Sequence, residues 1–481
     1  EETSIHWHGL LLPPDQDGVP YVNTPPIFPG QSHLFKFKLR QSGTYWYHSH
    51  TMVQEQKGVF GAIIIHPKKK TLEYDRDAVV VLSDWSDENS DNILRNLRKD
   101  GDYYQYKKDS VRSYFGAIRQ GGTALKNQLY NEWIRMGGMD LSDVGYDAFL
   151  INGKRESKLV DAKPGERIRL RIINAAASSY FYVSMGLPLK VVSADGLDIK
   201  PVNTNEILIG MAETYDVIFT VPDDKSYELR ATCQDTTGFA STWIGGAGEK
   251  VPAPVKPPTD LYATMDHSMM GHDMSGMDHS KMNHGEMKHD MPAMDHSKMD
   301  HGKMDHSKMD HGAHHGQAPK TEPETPPVPQ LSVDALTALA PTTLPKDAPV
   351  NDLKLVLNGD MNRYIWHING KVVTQDRLIH IKSGQVVRFT FVNESMMHHP
   401  MHLHGHFFRV VTDKGELSPL KHTVDVPPHG TRTIEFYANE PGQWMLHCHN
   451  LYHMDSGMAR VVRYDDFKLS DAMQMHEKHD P

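Results

Sequence analysis

Three segments of this chain repeat one template, and the repeat restricts the folds that the chain can adopt. They read PGQSHLFKFKL from Pro29, PGERIRLRIIN from Pro164 and SGQVVRFTFVN from Ser383. Each has a glycine, then Gln or Glu, then apolar residues at matching alternate positions. Alternation with a period of two after a glycine turn predicts a half-buried strand. An internal repeat of this kind predicts a repeated domain.

Most other blocks of the sequence also have the pattern of strands, for example DAVVVLSDW from Asp77, EILIGMAETYDVIFTV from Glu206 and TRTIEFYA from Thr431. We therefore predict an all-β chain of three Greek-key β-sandwich domains. The predicted bounds are 1–67, 68–250 and 351–465, with a linker over 251–350 and a tail over 466–481.

Two stretches break the strand pattern. Residues from 92 to about 145 carry apolar residues nearer to helical spacing, which predicts a partly helical insertion in the second domain. The linker is Pro-rich at both ends and holds the pentapeptide repeat MDHSKMDHGKMDHSKMDHGA from Met294 to Ala313. This repeat has no aliphatic or aromatic residues with which to bury a core, so we expect disorder there.

Composition excludes some classes of protein and points to metals. A net charge of −10 argues against a general nucleic-acid binder, and no apolar run is long enough for a transmembrane helix. Two cysteines give no disulfide framework, whereas 31 His and 26 Met are an excess of metal-binding side chains. The chain opens inside the strand-like segment TSIHWHG, so we expect a truncated first domain and a lost export signal.

Four His-x-His pairs point to a metal cluster. They are His6 with His8, His48 with His50, His402 with His404, and His447 with His449. Residues i and i+2 of a strand face the same way, so each pair can reach neighbouring ions. HWHG in the first domain matches HLHG in the third, and GTYWYHSH matches GQWMLHCH. Eight imidazoles in this pattern predict a cluster of several ions between the two domains, with approximate two-fold symmetry. The alternatives are metal-free histidines or a zinc site, but zinc normally takes four ligands.

The third domain has a further ligand set. Cys448 points away from its two flanking histidines if the strand is regular, and His399 lies at an odd offset before His402. With His453 and Met458 they make two His, one Cys and one weak axial Met, the ligands of a blue-copper electron-transfer site. The first domain has other residues at the matching positions: Thr3, Ser49, Gln54 and Val59. The second domain has no histidine and is predicted to be a copper-free spacer. The sequence His447–Cys448–His449 would join the two sites, which implies one-electron collection followed by dioxygen reduction.

These motifs resemble those of the multicopper oxidases, a family that includes laccase, ascorbate oxidase and cuprous oxidase. The resemblance implies cupredoxin-like domains with one type 1, one type 2 and two type 3 copper ions. The type 1 ligands would be His399, Cys448, His453 and Met458. The type 2 ligands would be His6 and His402. The type 3 ligands would be His8, His48 and His449 for one ion and His50, His404 and His447 for the other.

The resemblance also suggests proton donors. Asp17 in DQDGVP resembles the family's carboxylate that assists proton delivery, although an aspartate before Gly18 could also serve only the turn. In some relatives a carboxylate directly follows the type 1 histidine. Here Met454 has that place and Asp455 comes next, so a second proton donor is not evident.

A narrower resemblance concerns YDRDAVVVLSDWSDENS, the insertion and the Met- and His-rich linker, which look like the periplasmic copper-resistance subgroup CopA or PcoA. This implies an exported, periplasmic protein. Residues 265–315 hold twelve Met and eleven His, which suit weakly bound copper for capture or delivery. The alternative for this linker is a solvated spacer.

The leading functional hypothesis is oxidation of Cu(I) to Cu(II) with reduction of dioxygen to water, in which Asp17, His399, Cys448 and His453 act directly. The partners would be Cu(I) or another small reductant, dioxygen and periplasmic copper carriers. The alternatives are a laccase-like phenol oxidase and a copper-sequestering protein with incidental turnover. A two-domain nitrite reductase is disfavoured because it would not need the type 3 histidines.

The remaining histidines, including His406 and His422, are expected to be ordinary surface or strand residues, and Cys233 a buried free thiol.

Overall fold

The computed structural model describes residues 1–101, 103–106, 113–133, 142–258, 260, 262 and 330–468. The Met- and His-rich repeat lies outside these ranges, so its predicted disorder stays a prediction, and most of the predicted tail, residues 469–481, also lies outside them. The ends of the predicted linker are within the described part and pack on the second region of the chain. Leu331 and Leu336 are buried there, and Leu331 bridges to Ile207.

The first region of the chain forms a three-stranded antiparallel sheet. Its strands are β1 (His6–His8), β2 (Gly43–His48) and β3 (Phe60–Ile65), with β2 in the middle. In the register between β1 and β2, His6 lies opposite His48 and His8 lies opposite Trp46. The sheet therefore brings the first two histidine pairs together.

The strand predicted after Pro29 is not present. Residues 31–42 have no strand, and Leu34 and Leu39 are 82% and 53% exposed. Alternating apolar residues form a strand only where a neighbouring strand can pair with them, and the described residues supply none at this place. Phe35 and Phe37 pack instead against Trp7, with ring centroids 5.2 and 5.7 Å away.

The second region forms a ten-stranded sheet. Its strands are β4 (Arg76–Trp85), β5 (Ala148–Ile151), β6 (Glu156–Asp161), β7 (Arg167–Asn174), β8 (Phe181–Ala194), β9 (Leu197–Ile209), β10 (Thr214–Thr220), β11 (Ser226–Cys233), β12 (Phe239–Gly245) and β13 (Lys250–Val251). The template after Pro164 forms β7, and the blocks predicted from Asp77 and Glu206 form β4, β9 and β10. Cys233 is a buried free thiol at the end of β11, as expected.

The insertion in this region is partly helical, as predicted. It contains α1 (Ser90–Lys99), α2 (Tyr114–Gln120) and α3 (Gly122–Trp133). The side chain of Asn89 caps α1 by accepting a hydrogen bond from the backbone N–H of Asp91. The apolar face of α1 buries Ile93 and Leu97 in the main core of the third region. The insertion therefore covers part of the third region.

The third region forms two sheets around one core. The six-stranded sheet contains β14 (Val350–Asp360), β15 (Ile365–Ile368), β17 (Val386–Asn393), β19 (Phe408–Val410), β20 (Leu420–Lys421) and β22 (Thr431–Tyr437). The five-stranded sheet contains β16 (Leu378–Ile381), β18 (His399–Leu403), β21 (Thr423–Val426), β23 (Gln443–Cys448) and β24 (Ala459–Tyr464). Phe389 and Phe391 of the first sheet and Trp444 of the second are fully buried in the shared core. A short helix, α4 (Leu451–Asp455), follows β23.

The predicted fold class is confirmed: the described part of the chain is mostly β, with few helices, and the helical insertion lies in the second region. Among the described helices, none is both long and apolar enough to cross a membrane.

A buried ion cluster of Lys421, Asp195 and Glu213 connects the second region to the third. Lys421 is fully buried, and its Nζ lies 3.2 Å from Asp195 Oδ2 and 3.0 Å from Glu213 Oε1. The same Asp195 oxygen accepts hydrogen bonds from the backbone N–H groups of His422 and Thr423. The cluster thus sets the position of the backbone before β21, next to the histidines of β18.

We predict that Lys421→Met destabilises the protein by about 3–5 kcal/mol, because two buried carboxylates lose their only compensating cation among the described residues. Equilibrium unfolding in urea measures the change. Lys371→Met is the control, since Lys371 is exposed and lies 3.8 Å from exposed Asp376, a contact worth about 0–1 kcal/mol. Equal losses in the two variants would contradict a structural role for the cluster.

Candidate metal centre

Two strand pairs carry most of the predicted metal ligands, and they use the same register. In the first region His6 of β1 lies opposite His48 of β2. In the third region His402 of β18 lies opposite His447 of β23. Because HWHG matches HLHG and HSH matches HCH, the sequence repeat corresponds to a structural repeat. The second histidine of each pair then lies at or just beyond the end of its strand.

The eight paired histidines converge into three groups, two of which share His8. Within each group the ring nitrogens lie within 4.8 Å of one another. The groups are His8, His48 and His449; His50, His404 and His447; and His6, His8 and His402. Each of them contains residues from both the first and the third region. Seven of the eight are buried, and His50 is half-buried.

The ring nitrogens of these histidines fit a set of metal ligands. Among the described residues, Nε2 has no hydrogen-bond partner in His6, His48, His50, His402 and His449, and neither nitrogen of His8 has one. Buried polar atoms are nearly always hydrogen-bonded, so converging unpartnered nitrogens indicate a ligand. Burial, followed by the charge of neighbouring histidines, lowers the pKa of His8, His402 and His404 well below the usual value. Their rings are therefore neutral, which is the form that binds copper or other transition metals.

Cys448 belongs to a separate group on the other face of β23. Its Sγ lies 3.6 Å from His399 Nδ1 and 3.7 Å from His453 Nδ1, and the two Nδ1 atoms are 3.2 Å apart. All three side chains are fully buried. Met458 is also fully buried, and its carbonyl oxygen accepts a hydrogen bond from the backbone N–H of Cys448 at 3.1 Å. A thiol and two imidazoles at this spacing suit a single copper ion.

The outer nitrogens of this group have partners that orient the two rings. Nε2 of His453 lies 3.0 Å from Asp143 Oδ2, and Nε2 of His399 lies 2.7 Å from Ser395 Oγ. Tyr364 donates a hydrogen bond to the same Asp143 oxygen at 2.8 Å. A proton held on the outer nitrogen leaves the Nδ1 lone pair directed at the thiol. Asp143 could not be found from the sequence, because it comes from the insertion and not from a histidine motif.

Asp17 lies within the histidine cluster and is fully buried. Its Oδ2 is 2.9 Å from His404 Nδ1 and its Oδ1 is 3.3 Å from His6 Nδ1, so it contacts ligands from both regions. Asn23 donates a hydrogen bond to Oδ2 at 2.8 Å. A carboxylate in this place could hold or pass a proton beside the cluster, in addition to its place in the turn before Gly18.

Two further residues at the cluster were not found from the sequence. Glu55 is buried, with Oε2 2.7 Å from His48 Nδ1. His422, which was expected to be ordinary, is fully buried; its carbonyl accepts a hydrogen bond from His402 Nδ1 at 2.6 Å, and its ring lies 4.8 Å from that of His8. Glu55 lies in the turn region five residues after His50, and His422 lies in the connection between two other strands. Neither residue belongs to a His-x-His pair, so the spacing of those pairs could not reveal them.

A small cavity lies beside the cysteine group. Its free volume of about 20 Å³ is enough for one water or ion. The lining includes Cys233, Met397 and His398, and also Asn450, which follows Cys448 closely along the chain. Thiol and thioether are soft donors that suit Cu(I), and imidazole binds copper in either oxidation state.

Comparison with known families agrees with this geometry. Multicopper oxidase family models match residues 1–70, 76–244 and 346–468. The chain therefore belongs to the multicopper oxidase family, whose members are copper-dependent oxidoreductases. The predicted resemblance to the copper-resistance subgroup is confirmed. Copper resistance protein A of Escherichia coli is 38% identical over 97% of this chain and 84% of that protein.

Other relatives extend the comparison. Multicopper oxidase MmcO of Mycobacterium tuberculosis is 28% identical over 96% of this chain and 77% of that protein. Among solved structures, Fet3p, a multicopper oxidase that functions in iron import, aligns with a TM-score of 0.63 at 18% identity, over 99% of this chain and 84% of that one. The laccase from Botrytis aclada aligns with a TM-score of 0.63 at 21% identity, over 99% and 81%. At these identities the two structures show the fold alone.

We predict that Gly18→Ala disrupts the cluster, because Gly18 has a φ of +88° and a Cβ there would lie 1.8 Å from the carbonyl oxygen of Ile5. The strand that carries His6 would have to move away from Asp17. Gly30→Ala is a matched control, with a φ of +79° and open space around its Cβ. We expect Gly30→Ala to cost about 1–2 kcal/mol of folding free energy, and Gly18→Ala to cost about 1–3 kcal/mol more. Urea unfolding and bound copper per chain measure the two effects, and full copper content in Gly18→Ala would contradict the prediction.

Proposed function

We propose that this protein oxidises Cu(I) to Cu(II) in copper resistance and reduces dioxygen to water. Four Cu(I), one dioxygen and four protons would give four Cu(II) and two water molecules. The observation that carries the proposal is that one Cys–His–His group and the buried histidine cluster are joined by adjacent residues of β23. The name of the relatives, copper resistance protein A, supports the choice of substrate.

The same proposal assigns the copper ligands within domains 1–67 and 351–465, with domain 68–250 as a copper-free spacer. The type 1 ligands are His399, Cys448, His453 and Met458. The type 2 ligands are His6 and His402. The type 3 ligands are His8, His48 and His449 for one ion and His50, His404 and His447 for the other. The grouping of ring nitrogens and of the thiol supports this assignment. Bound copper would supply reversible one-electron transfer and a place for dioxygen.

The residues of the chain have distinct parts in this scheme. Cys448 lies between His447 and His449, so one peptide bond on each side gives a covalent route for electrons between the two groups. The buried carboxylate of Asp17, which contacts ligands from both domains, would hold a proton near the cluster. Full burial of His399 and His453 keeps bulk water away from the thiol.

The surroundings of the cysteine group favour a small cationic reductant. His453 is covered by the carboxylate of Asp143, which attracts positive charge. The adjoining cavity has room for about one ion and offers the donors of Cys233, Met397 and His398. We therefore propose Cu(I), delivered in the periplasm by a copper carrier or by the linker, as the substrate. The Met and His side chains of residues 265–315 would bind additional copper weakly; their placement lies outside the described residues.

Two other functions remain as alternatives. A laccase-like phenol oxidase is supported by relatives such as Laccase-2 of Botryotinia fuckeliana, which is 26% identical over 95% of this chain and 72% of that protein. A copper-sequestering protein is supported by the composition of the linker. The two predictions below separate these alternatives from the proposal.

We predict that a Cu(I) complex drives oxygen uptake by the copper-loaded protein several-fold faster than a simple phenol does. Deletion of residues 265–315 should slow the Cu(I) reaction, because the linker would no longer concentrate the substrate. The control is replacement of the segment by a Gly–Ser linker of the same length, which removes the Met and His side chains but keeps the spacing between the flanking residues. Faster uptake with the phenol, unchanged by the deletion, would favour the laccase-like alternative.

We predict that Cys448→Ser abolishes oxygen uptake with Cu(I), because a hydroxyl cannot replace the thiolate of the type 1 site. Total copper should fall only slightly, since the linker ligands are untouched. Cys233→Ser is the matched control and should keep the type 1 copper. Copper tolerance of cells that carry Cys448→Ser then decides between functions: lost tolerance supports the oxidase, and full tolerance supports sequestration.

A further inference from the structure

Glu55 lies in the connection between β2 and β3 and is only 2% exposed. Its Oε2 is 2.7 Å from Nδ1 of His48, whose side chain is equally buried. Among the described residues no lysine or arginine pairs with this carboxylate. A buried carboxylate without a cation costs several kcal/mol, so its position against a histidine of the cluster needs a reason beyond folding.

The neighbours of Glu55 hold it in this place. Gln54 accepts hydrogen bonds from the hydroxyls of Thr3 and Ser49 at 2.7 and 2.8 Å. Gln56 accepts a hydrogen bond from Tyr452 at 2.9 Å and donates one to Asp84 at 3.1 Å. Glu55 is therefore fixed between two anchored side chains, and its carboxylate has little freedom to turn away from His48.

Where an Nδ1 atom of a cluster histidine has a hydrogen-bond partner, that partner is in most cases a main-chain oxygen. His402 uses the carbonyl of His422 at 2.6 Å, and His447 uses that of Cys448 at 2.9 Å. Within the described part of the chain, carboxylate contacts come only from Asp17 and Glu55. Asp17 contacts His404, which belongs with His50 and His447, whereas Glu55 contacts His48, which belongs with His8 and His449. Each of these two three-histidine groups thus has one buried carboxylate behind a ligand.

We propose that Glu55 is a positioning residue for the copper ion held by His8, His48 and His449. Its carboxylate accepts the Nδ1 proton of His48 together with the Ser49 carbonyl, which lies 3.0 Å away, so that the unpartnered Nε2 presents its lone pair to the ion. A carboxylate behind a ligating histidine fixes the tautomer and makes the ring a stronger donor. This inference rests on the proposed copper ligation.

The test compares copper retention and stability in Glu55→Met, Glu55→Gln and His48→Ala. Methionine has a similar length and no acceptor, while His48 keeps the Ser49 carbonyl, so Glu55→Met should unfold in urea at the same or a higher concentration than wild type. Copper bound by His8, His48 and His449 should nevertheless be lost to a chelator at about 10–100-fold lower chelator concentration. Glu55→Gln keeps an acceptor oxygen and should recover part of the retention. A side chain with a merely structural role would not separate stability from copper binding in this way.

Glu228→Met is the matched control, because Glu228 is a buried glutamate of β11 that contacts Arg230 and the N–H of Ala253 but no histidine of the cluster. It should keep wild-type copper retention. Wild-type retention in Glu55→Met together with loss in His48→Ala would overturn the positioning role and leave the proposed function intact. Wild-type retention in His48→Ala would overturn the ligand assignment itself.

Discussion

The structure depends on one constraint: eight imidazoles converge at the junction of two separate regions of the chain, and six of them have a ring nitrogen without a hydrogen-bond partner among the described residues. An unsatisfied buried polar group costs about 1–3 kcal/mol, so the junction is favourable only when those nitrogens have a common partner. Burial, followed by the charge of neighbouring histidines, lowers the pKa of His8 and His402 well below the usual value, so these two rings are neutral and suited to a metal. In the proposed ligation, copper would serve both as the reactive group and as a link between the first and third regions.

The rest of the molecule holds the rings in place before any metal binds. The shared register of β1 with β2 and of β18 with β23 sets which histidines lie opposite one another. Asp17 reaches ligands of both regions only because Gly18 lets the backbone pass close to Ile5. The buried ion cluster of Lys421 fixes the segment that contains the carbonyl of His422, to which His402 is bonded. Preorganisation of this kind lowers the cost of ordering ligands when copper enters.

Sequence reasoning was sufficient where a feature depends on local period and was insufficient where it depends on packing across the chain. A period of two places both histidines of a pair on one face, and an odd offset sends Cys448 and His399 to the other, so the separation of the two groups could be predicted. The strand after Pro29 was predicted wrongly because alternation does not reveal whether a partner strand exists. Asp143, Glu55 and His422 reach the site from an insertion, a turn and a strand connection, and no spacing rule relates these to the ligands.

The cysteine group and the histidine cluster share β23 but differ in their surroundings, and the difference is consistent with their separate tasks. The cluster is enclosed between two regions and has two buried carboxylates beside its rings, as expected where dioxygen takes up protons. The cysteine group is enclosed by the third region and by Asp143 of the insertion, and the ring of Trp366 lies tilted against that of His453 with centroids 3.9 Å apart. Because the third region and Asp143 enclose the proposed type 1 group, its electron donor would have to be small or would have to dock on the surface above it. The insertion, which the sequence predicted as a partly helical break in the strand pattern, would therefore take part in selecting the substrate of the proposed reaction, because it supplies Asp143.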